Sequence, residues 1–95
     1  MKANLVKADG TSTFVVPKNG TDFSLEELKE FVGGWIEIVW LNKTDEIMII
    51  NEEGKLMDLP LNHYGSFRLW NEKPHTKESD YIVGDVLICH RSQVK

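Results

Sequence analysis

Apolar residues in this chain fall in short runs set off by turn chemistry, a rhythm that suits a sheet. Residues 33–54 carry the strongest signal: Gly-Gly-Trp-Ile-Glu-Ile-Val-Trp-Leu, a polar turn, then Ile-Met-Ile-Ile-Asn-Glu-Glu-Gly. Over 35–41, one strand face would hold Trp35, Glu37, Val39 and Leu41, and the other Ile36, Ile38 and Trp40. Both faces are largely apolar, so the pattern predicts a central strand covered on both sides. Residues 46–50 read the same way. The connection 42–45 lacks glycine, which favours a four-residue loop around a type I turn over a primed turn. Asn51-Glu52-Glu53-Gly54 suits a type I turn closing on a glycine at positive φ, after which 55–59 would return as a third meander strand.

Upstream, residues 4–8 and 11–16 flank Asp9-Gly10, the chemistry of a two-residue hairpin whose central residues take positive φ. Pro17, Asn19 and Gly20 end the second strand, since proline donates nothing to a ladder. Ser24-Leu25-Glu26-Glu27 then forms a capping box, with Phe23 and Leu28 at the staple positions on either side. The acidic pair also sits at the positive end of the helix dipole. Gly33 and Gly34 supply the terminus, so a helix is expected over about 24–32 with Leu25, Leu28, Phe31 and Val32 facing the sheet. Pro60 stops the next segment. Asn62 caps a shorter helix over about 62–70, in which Gly65 is unfavourable by about 1 kcal/mol against alanine. Residues 71–80 form a polar loop, and 81–89 form the last strand with a bend at Gly84-Asp85.

These elements define one domain, residues 1–95, of the α+β class. The expectation is a mostly antiparallel sheet of five or six strands, with the capped helix and the shorter helix packed on it.

Composition narrows the partners. The chain is 41% hydrophobic and 27% charged, ordinary globular usage. Eleven basic against fifteen acidic residues leave a net charge of −4 and a pI near 5.3. A phosphate grip needs clustered Lys and Arg, so nucleic acid is not expected as a partner. Charge recurs in the N-terminal segment before a secretory apolar region forms, and no window reaches membrane-spanning length. The expected location is cytoplasmic.

The candidate chemistry is sparse. One cysteine, Cys89, excludes an intramolecular disulfide and thiolate-rich zinc sites. Adjacent strand residues point to opposite faces, so Cys89 and His90 do not share an ion, and His63 and His75 lie elsewhere. No metal and no cofactor is expected. Val86, Leu87 and Ile88 mark Cys89 as a small core residue. Glu26/Glu27 and Glu52/Glu53 have local explanations at a helix start and a solvated turn. Glu37 lies between Trp35 and Val39: buried, its pKa would rise by desolvation; exposed, or paired with Lys55 or Arg68, it would be ordinary. Val32-Gly33-Gly34 runs from helix to strand, the reverse of a phosphate loop.

The richest surface candidate is the segment 62–70. Tyr, Trp and Arg concentrate at binding hot spots because each buries a large area with a polar tip. On a helix His63, Phe67 and Trp70 share one face, while Tyr64 and Arg68 share the next and are the expected exposed pair. The candidate binding residues are therefore Asn62, His63, Tyr64, Arg68, Trp70 and Glu37, with no catalytic set.

The order of four pieces resembles a family of unknown function found in bacterial genomes, phages and mobile elements. They are Val32-Gly33-Gly34-Trp35-Ile36-Glu37, Asn51-Glu52-Glu53-Gly54-Lys55-Leu56, Leu59-Pro60-Leu61-Asn62 and Ile82-Val83-Gly84-Asp85-Val86. Together they cover about residues 24–88. The resemblance implies an independent small α/β module, often encoded beside mobile-element genes, and brings no catalytic role. Two functional expectations follow. The first is a non-enzymatic accessory module binding a protein partner or itself. The second is a small-molecule binder or minor enzyme with a cleft near Glu37, His63 and Arg68.

Overall fold

The computed structural model describes residues 2–95. Five strands form one antiparallel sheet: β1 (Ala3–Val6), β2 (Ser12–Val15), β3 (Ile36–Leu41), β4 (Glu46–Asn51) and β5 (Val86–His90), in the order β2-β1-β5-β4-β3. The helices are α1 (Leu25–Val32) and α2 (His63–Glu72). This is the expected α+β architecture.

Each helix covers one face of the sheet. Alternation sends Ile47, Ile49, Leu87 and Cys89 to the face where Leu28 and Val32 of α1 pack with Phe23 and Ala3. Met48, Val86, Ile88, Val39 and Leu41 pack on the opposite face with Leu69 of α2, Val6 and Ile82. β4 and β5 are the strands covered on both sides. The expectation of a central strand at 35–41 is corrected: β3 is an edge strand, bonded only to β4.

That correction explains a second. Residues 55–59 are not a meander strand. β4 already has β3 on one side and β5 on the other, leaving no ladder for a third strand. The chain instead coils through turns, with the Met57 amide donating to Glu53 O at 2.9 Å and the Leu59 amide to Gly54 O at 3.1 Å. Positive φ falls on Asp58 (56°) and not on Gly54. Gly54 is required for closeness, since a Cβ there would meet Val83 Cγ2 at 2.9 Å.

The first hairpin forms with a different turn from the expected one. The Gly10 amide donates to Lys7 O at 3.0 Å and Gly10 alone takes positive φ. The result is a three-residue loop with a glycine bulge, not a two-residue primed turn. The Asp9 carboxylate accepts from the Thr11 amide (2.9 Å) and hydroxyl (2.7 Å), so it braces the turn without needing positive φ. After β3, a single 3₁₀ turn at Asn42–Thr44 with Asp45 at φ 55° makes the expected four-residue loop.

The α1 cap follows its sequence signal: the Glu27 amide donates to Ser24 Oγ (3.1 Å) and the Ser24 amide donates to Glu27 Oε1 (2.9 Å). Phe23 and Leu28 enter the same core cluster, and Gly33 ends the helix at φ 80°. Leu25, expected on the sheet side, is exposed instead. The last strand is confined to Val86–His90, because Gly84 turns the preceding segment at φ 78°.

α2 runs to Glu72, capped by the Asn62 side chain, which accepts from the Gly65 amide at 2.8 Å. Its sheet-facing side is neither aromatic face read from the sequence. Gly65, Ser66 and Leu69 are buried there. Small residues let the helix approach segment 81–84, where Ser66 Oγ accepts from the Ile82 amide (2.9 Å) and donates to Ile82 O (3.3 Å). Among the described residues no helix is long and apolar enough to cross a membrane.

Candidate functional site

With its small residues turned inward, α2 presents Tyr64 and Phe67 outward, 43% and 58% exposed, their ring centroids 6.5 Å apart. Arg68 extends beside them. Its Nη1 donates to Tyr64 Oη at 3.1 Å, and its Nη2 donates to Glu46 Oε1 at 2.5 Å and Thr44 Oγ1 at 3.3 Å. The guanidinium is therefore pinned to β4 and not free on the surface. His63 is exposed at the helix start.

The other candidates from this segment are engaged within the fold. Trp70 is half-buried, its indole N–H donating to Asp80 O at 2.8 Å. Asn62 is buried, its amide donating to Val6 O (3.1 Å) and Gly84 O (2.9 Å). The outer face of α2 thus gathers Tyr64, Arg68 and, unforeseen, Phe67, while Trp70 packs against the core beneath the helix.

The open side of β3 is the larger surface feature. The Glu52 amide donates to Trp35 O at 2.9 Å, and the register then makes Glu37, Val39 and Leu41 the residues bonded to β4. Ile36, Ile38 and Trp40 consequently aim their amides and carbonyls away from the sheet. Trp40 is 51% exposed at one end of this row, and Trp35, 58% exposed, stands just before it under the Lys29 ammonium at 3.9 Å. Sequence reasoning missed this edge because it placed 35–41 inside the sheet.

Beside the edge lies a cleft of about 360 Å³, lined by Glu37, Trp40, Lys73, His75 and Tyr81 among others. Glu37 is exposed on its wall, so the buried alternative does not apply. Its expected partners are taken: Lys55 pairs with Asp80 and stands over Tyr81, and Arg68 pairs with Glu46. His63 and Arg68 lie outside this cleft, so it does not join the three residues expected to share one. Hydrogen bonding to Lys55 and to the Tyr81 amide lowers the Asp80 pKa, fixing it as the anionic half of its pair.

Cys89 is buried in the α1-facing core, and burial pushes its thiol up to about 12. His90 instead accepts through Nδ1 from the Ser92 amide at 3.1 Å. Among the described residues no three of His, Cys, Asp and Glu come together as a metal cluster.

A family model described as a domain of unknown function (DUF3846) matches residues 1–94, and the chain belongs to that family. No curated protein and no solved structure matches it.

Proposed function

We propose that this member of the family is a small, non-enzymatic, cytoplasmic module that binds a protein partner by adding a strand to the open edge of β3. One observation carries the reading: Ile36, Ile38 and Trp40 present unpaired backbone groups along a six-residue edge. Sheets commonly blunt such edges with lysine, proline, a bulge or a covering element. β3 has no lysine, no proline and unbroken register, and its one charge is Glu37. An extended segment bonding to that row would gain main-chain hydrogen bonds, with Trp35 and Trp40 available for its side chains. Tyr64, Phe67 and Arg68 on α2 form a secondary contact candidate. A non-enzymatic role is supported by the state of the reactive groups: Lys55 and Asp80 are paired, and the Cys89 thiol is buried.

The cleft favours one further reading, since about 360 Å³ falls within the range of small-ligand sites, roughly 300–1,000 Å³. Glu37, Lys73 and His75 would then supply its polar contacts.

The test is capture from native lysate with three baits: the unaltered chain, Trp40→Pro, and Tyr64→Ala/Arg68→Ala. Proline at 40 removes an amide that points away from β4 and so breaks no internal ladder bond. A partner lost with Trp40→Pro and kept by the double variant supports the edge. A partner lost only with the double variant moves the site to α2. If neither variant loses a partner and small-molecule screening shifts the melting temperature, the cleft reading replaces this one.

A further inference from the structure

Resting on the edge reading above, we propose that the strand added to β3 is β3 of a second copy, paired antiparallel about a two-fold axis at Ile38. The sequence of the strand is self-complementary in that register. Only Ile36, Ile38 and Trp40 direct backbone groups outward. Centring the pair on Ile38 sets Ile38 against its own copy and Ile36 against Trp40 in both directions. Every outward amide and carbonyl then meets a partner, for six new hydrogen bonds by the alternation of an antiparallel ladder. Any other centre within the strand leaves some of these groups unmatched.

The side chains agree with the backbone. Ile36, Ile38 and Trp40 lie on the α1-covered face, because Ile36 and Ile38 pack against that core. A two-fold axis normal to the sheet keeps like faces together. The junction on that face becomes a stripe of Trp40–Ile36, Ile38–Ile38 and Ile36–Trp40 pairs. Aromatic against β-branched residues are among the favourable cross-strand neighbours. On the other face Glu37 falls opposite Val39, so no like charges are set directly opposite. Pairing centred on Glu37 would oppose two carboxylates, which the register about Ile38 avoids. Half-exposed Trp40 and Trp35 are the large side chains such a junction would cover, and the α1 helices of the two copies would lie on the same side of a continuous ten-stranded sheet.

The contact is small. Two exposed tryptophans per copy and one strand pair fall towards the low end of specific interfaces, below roughly 1,200 Å². The dimer is therefore weak and concentration-dependent. Each copy carries −4, so long-range repulsion opposes association and added salt tightens it. A basic peptide on the same edge would show the opposite salt response.

The experiment is sedimentation velocity on the full chain from about 10 µM to 1 mM, at low and high salt, with amide exchange by NMR at both ends of that range. The expected result is a mass rising from 10.9 kDa towards twice that value, with Ile36, Ile38 and Trp40 amides gaining protection as concentration rises. Trp40→Pro should weaken association at least tenfold. Trp40→Lys, which keeps the backbone donor and removes the aromatic pair, should also weaken it, and thermal melts report whether each variant folds. A chain that stays monomeric at 1 mM overturns self-pairing, yet leaves the edge reading standing if capture from lysate still depends on Trp40. A dimer that persists in both variants, with the three amides unprotected, overturns the proposal by moving the contact elsewhere.

Discussion

The side-chain amide of Asn62 donates to the carbonyl of Val6, 56 positions away in the chain, at 3.1 Å. The same amide donates to Gly84 O, and the side-chain oxygen accepts from the Gly65 amide. One buried residue thus joins the end of β1, the bend before β5 and the start of α2. It is a fold-determining residue, though its sequence context marks it as a helix cap and a binding candidate.

Asn62→Ala should accordingly cost more than an ordinary cap. Loss of a cap is worth about 1 kcal/mol, and losing the amide's two hydrogen bonds to the buried Val6 and Gly84 carbonyls adds roughly 1–3 kcal/mol. The expected fall in melting temperature is about 8–32 °C, at about 4–8 °C per kcal/mol for a domain of this size. Asn62→Asp should be at least as damaging, because a carboxylate would face two carbonyl oxygens. Thermal unfolding by circular dichroism checks both, and a cost under about 1 kcal/mol for either would refute the three-way pin.

Gly65→Ala separates helix propensity from packing. Propensity alone predicts stabilisation by about 1 kcal/mol. A Cβ at this position would lie 2.9 Å from Ile82 Cγ2 and 3.2 Å from Ile82 Cβ. The β-branched isoleucine has little freedom to give way, so overpacking of about 1–3 kcal/mol should prevail. The variant is expected to melt lower than the parent by denaturant titration. A higher midpoint would mean that α2 sits further from segment 81–84.

Acid stability should depend on Glu27. Its pKa is lowered chiefly by the hydrogen bond from the Ser24 amide and next by that from the Lys18 amide. A carboxylate whose folded pKa lies below its unfolded value stabilises the fold above the unfolded pKa, here about 4.5. That contribution is lost as pH falls through the folded value. Glu27→Gln should therefore narrow the stability difference between neutral and acid pH, and the variant and parent should converge as pH falls through the folded value. Urea midpoints across that range provide the measurement.

How much of this was legible depends on whether the deciding interaction was local. The α1 cap, its staple and its glycine stop are set within a few residues, and all three formed as read. The edge position of β3 was not legible, because its two faces are as apolar as those of β4 and only distant pairing with β5 separates edge from centre. The same pairing removed the expected strand at 55–59. On α2 the aromatic spacing gave no sign of the buried face, since polar Asn62 and Ser66 are buried through hydrogen bonds to distant backbone. Gly65 in mid-helix beside Ser66 was the available signal of a close approach. Of the candidate site, Tyr64 and Arg68 lay together as spacing implied, whereas Trp70 and Asn62 were claimed by the fold.

Arg68 must be separated from Tyr64 before either is used to map binding. The Arg68 side chain is only 15% exposed and its Glu46 partner 32%. Arg68→Ala should cost about 1 kcal/mol, combining a partly screened ion pair with lost packing of its stem. Tyr64→Ala should stay within about 0.5 kcal/mol, as expected for an exposed side chain. Arg68→Lys should not restore the parent, since one ammonium cannot meet Glu46 and Tyr64 in the geometry of the planar fork. Chemical denaturation of the three variants decides this, and equal costs for Arg68→Ala and Tyr64→Ala would contradict the pinned guanidinium.

Cys89 offers a direct probe of the core between β5 and α1. Burial is the principal cause of its raised pKa, about 12, with the Glu46 carboxylate adding to it. The reactive species is the thiolate, so at pH 8 only about one thiol in 10,000 would be ionised even if reagent could reach it. Labelling by an aromatic disulfide reagent should be negligible in the native protein and complete within minutes in 6 M guanidinium. At intermediate denaturant the rate should follow the fraction unfolded, which gives a measure of stability independent of spectroscopy. Fast native labelling would mean that α1 opens from the sheet well below the global unfolding free energy, which would make the α1-covered face a mobile region and not a fixed support for β3.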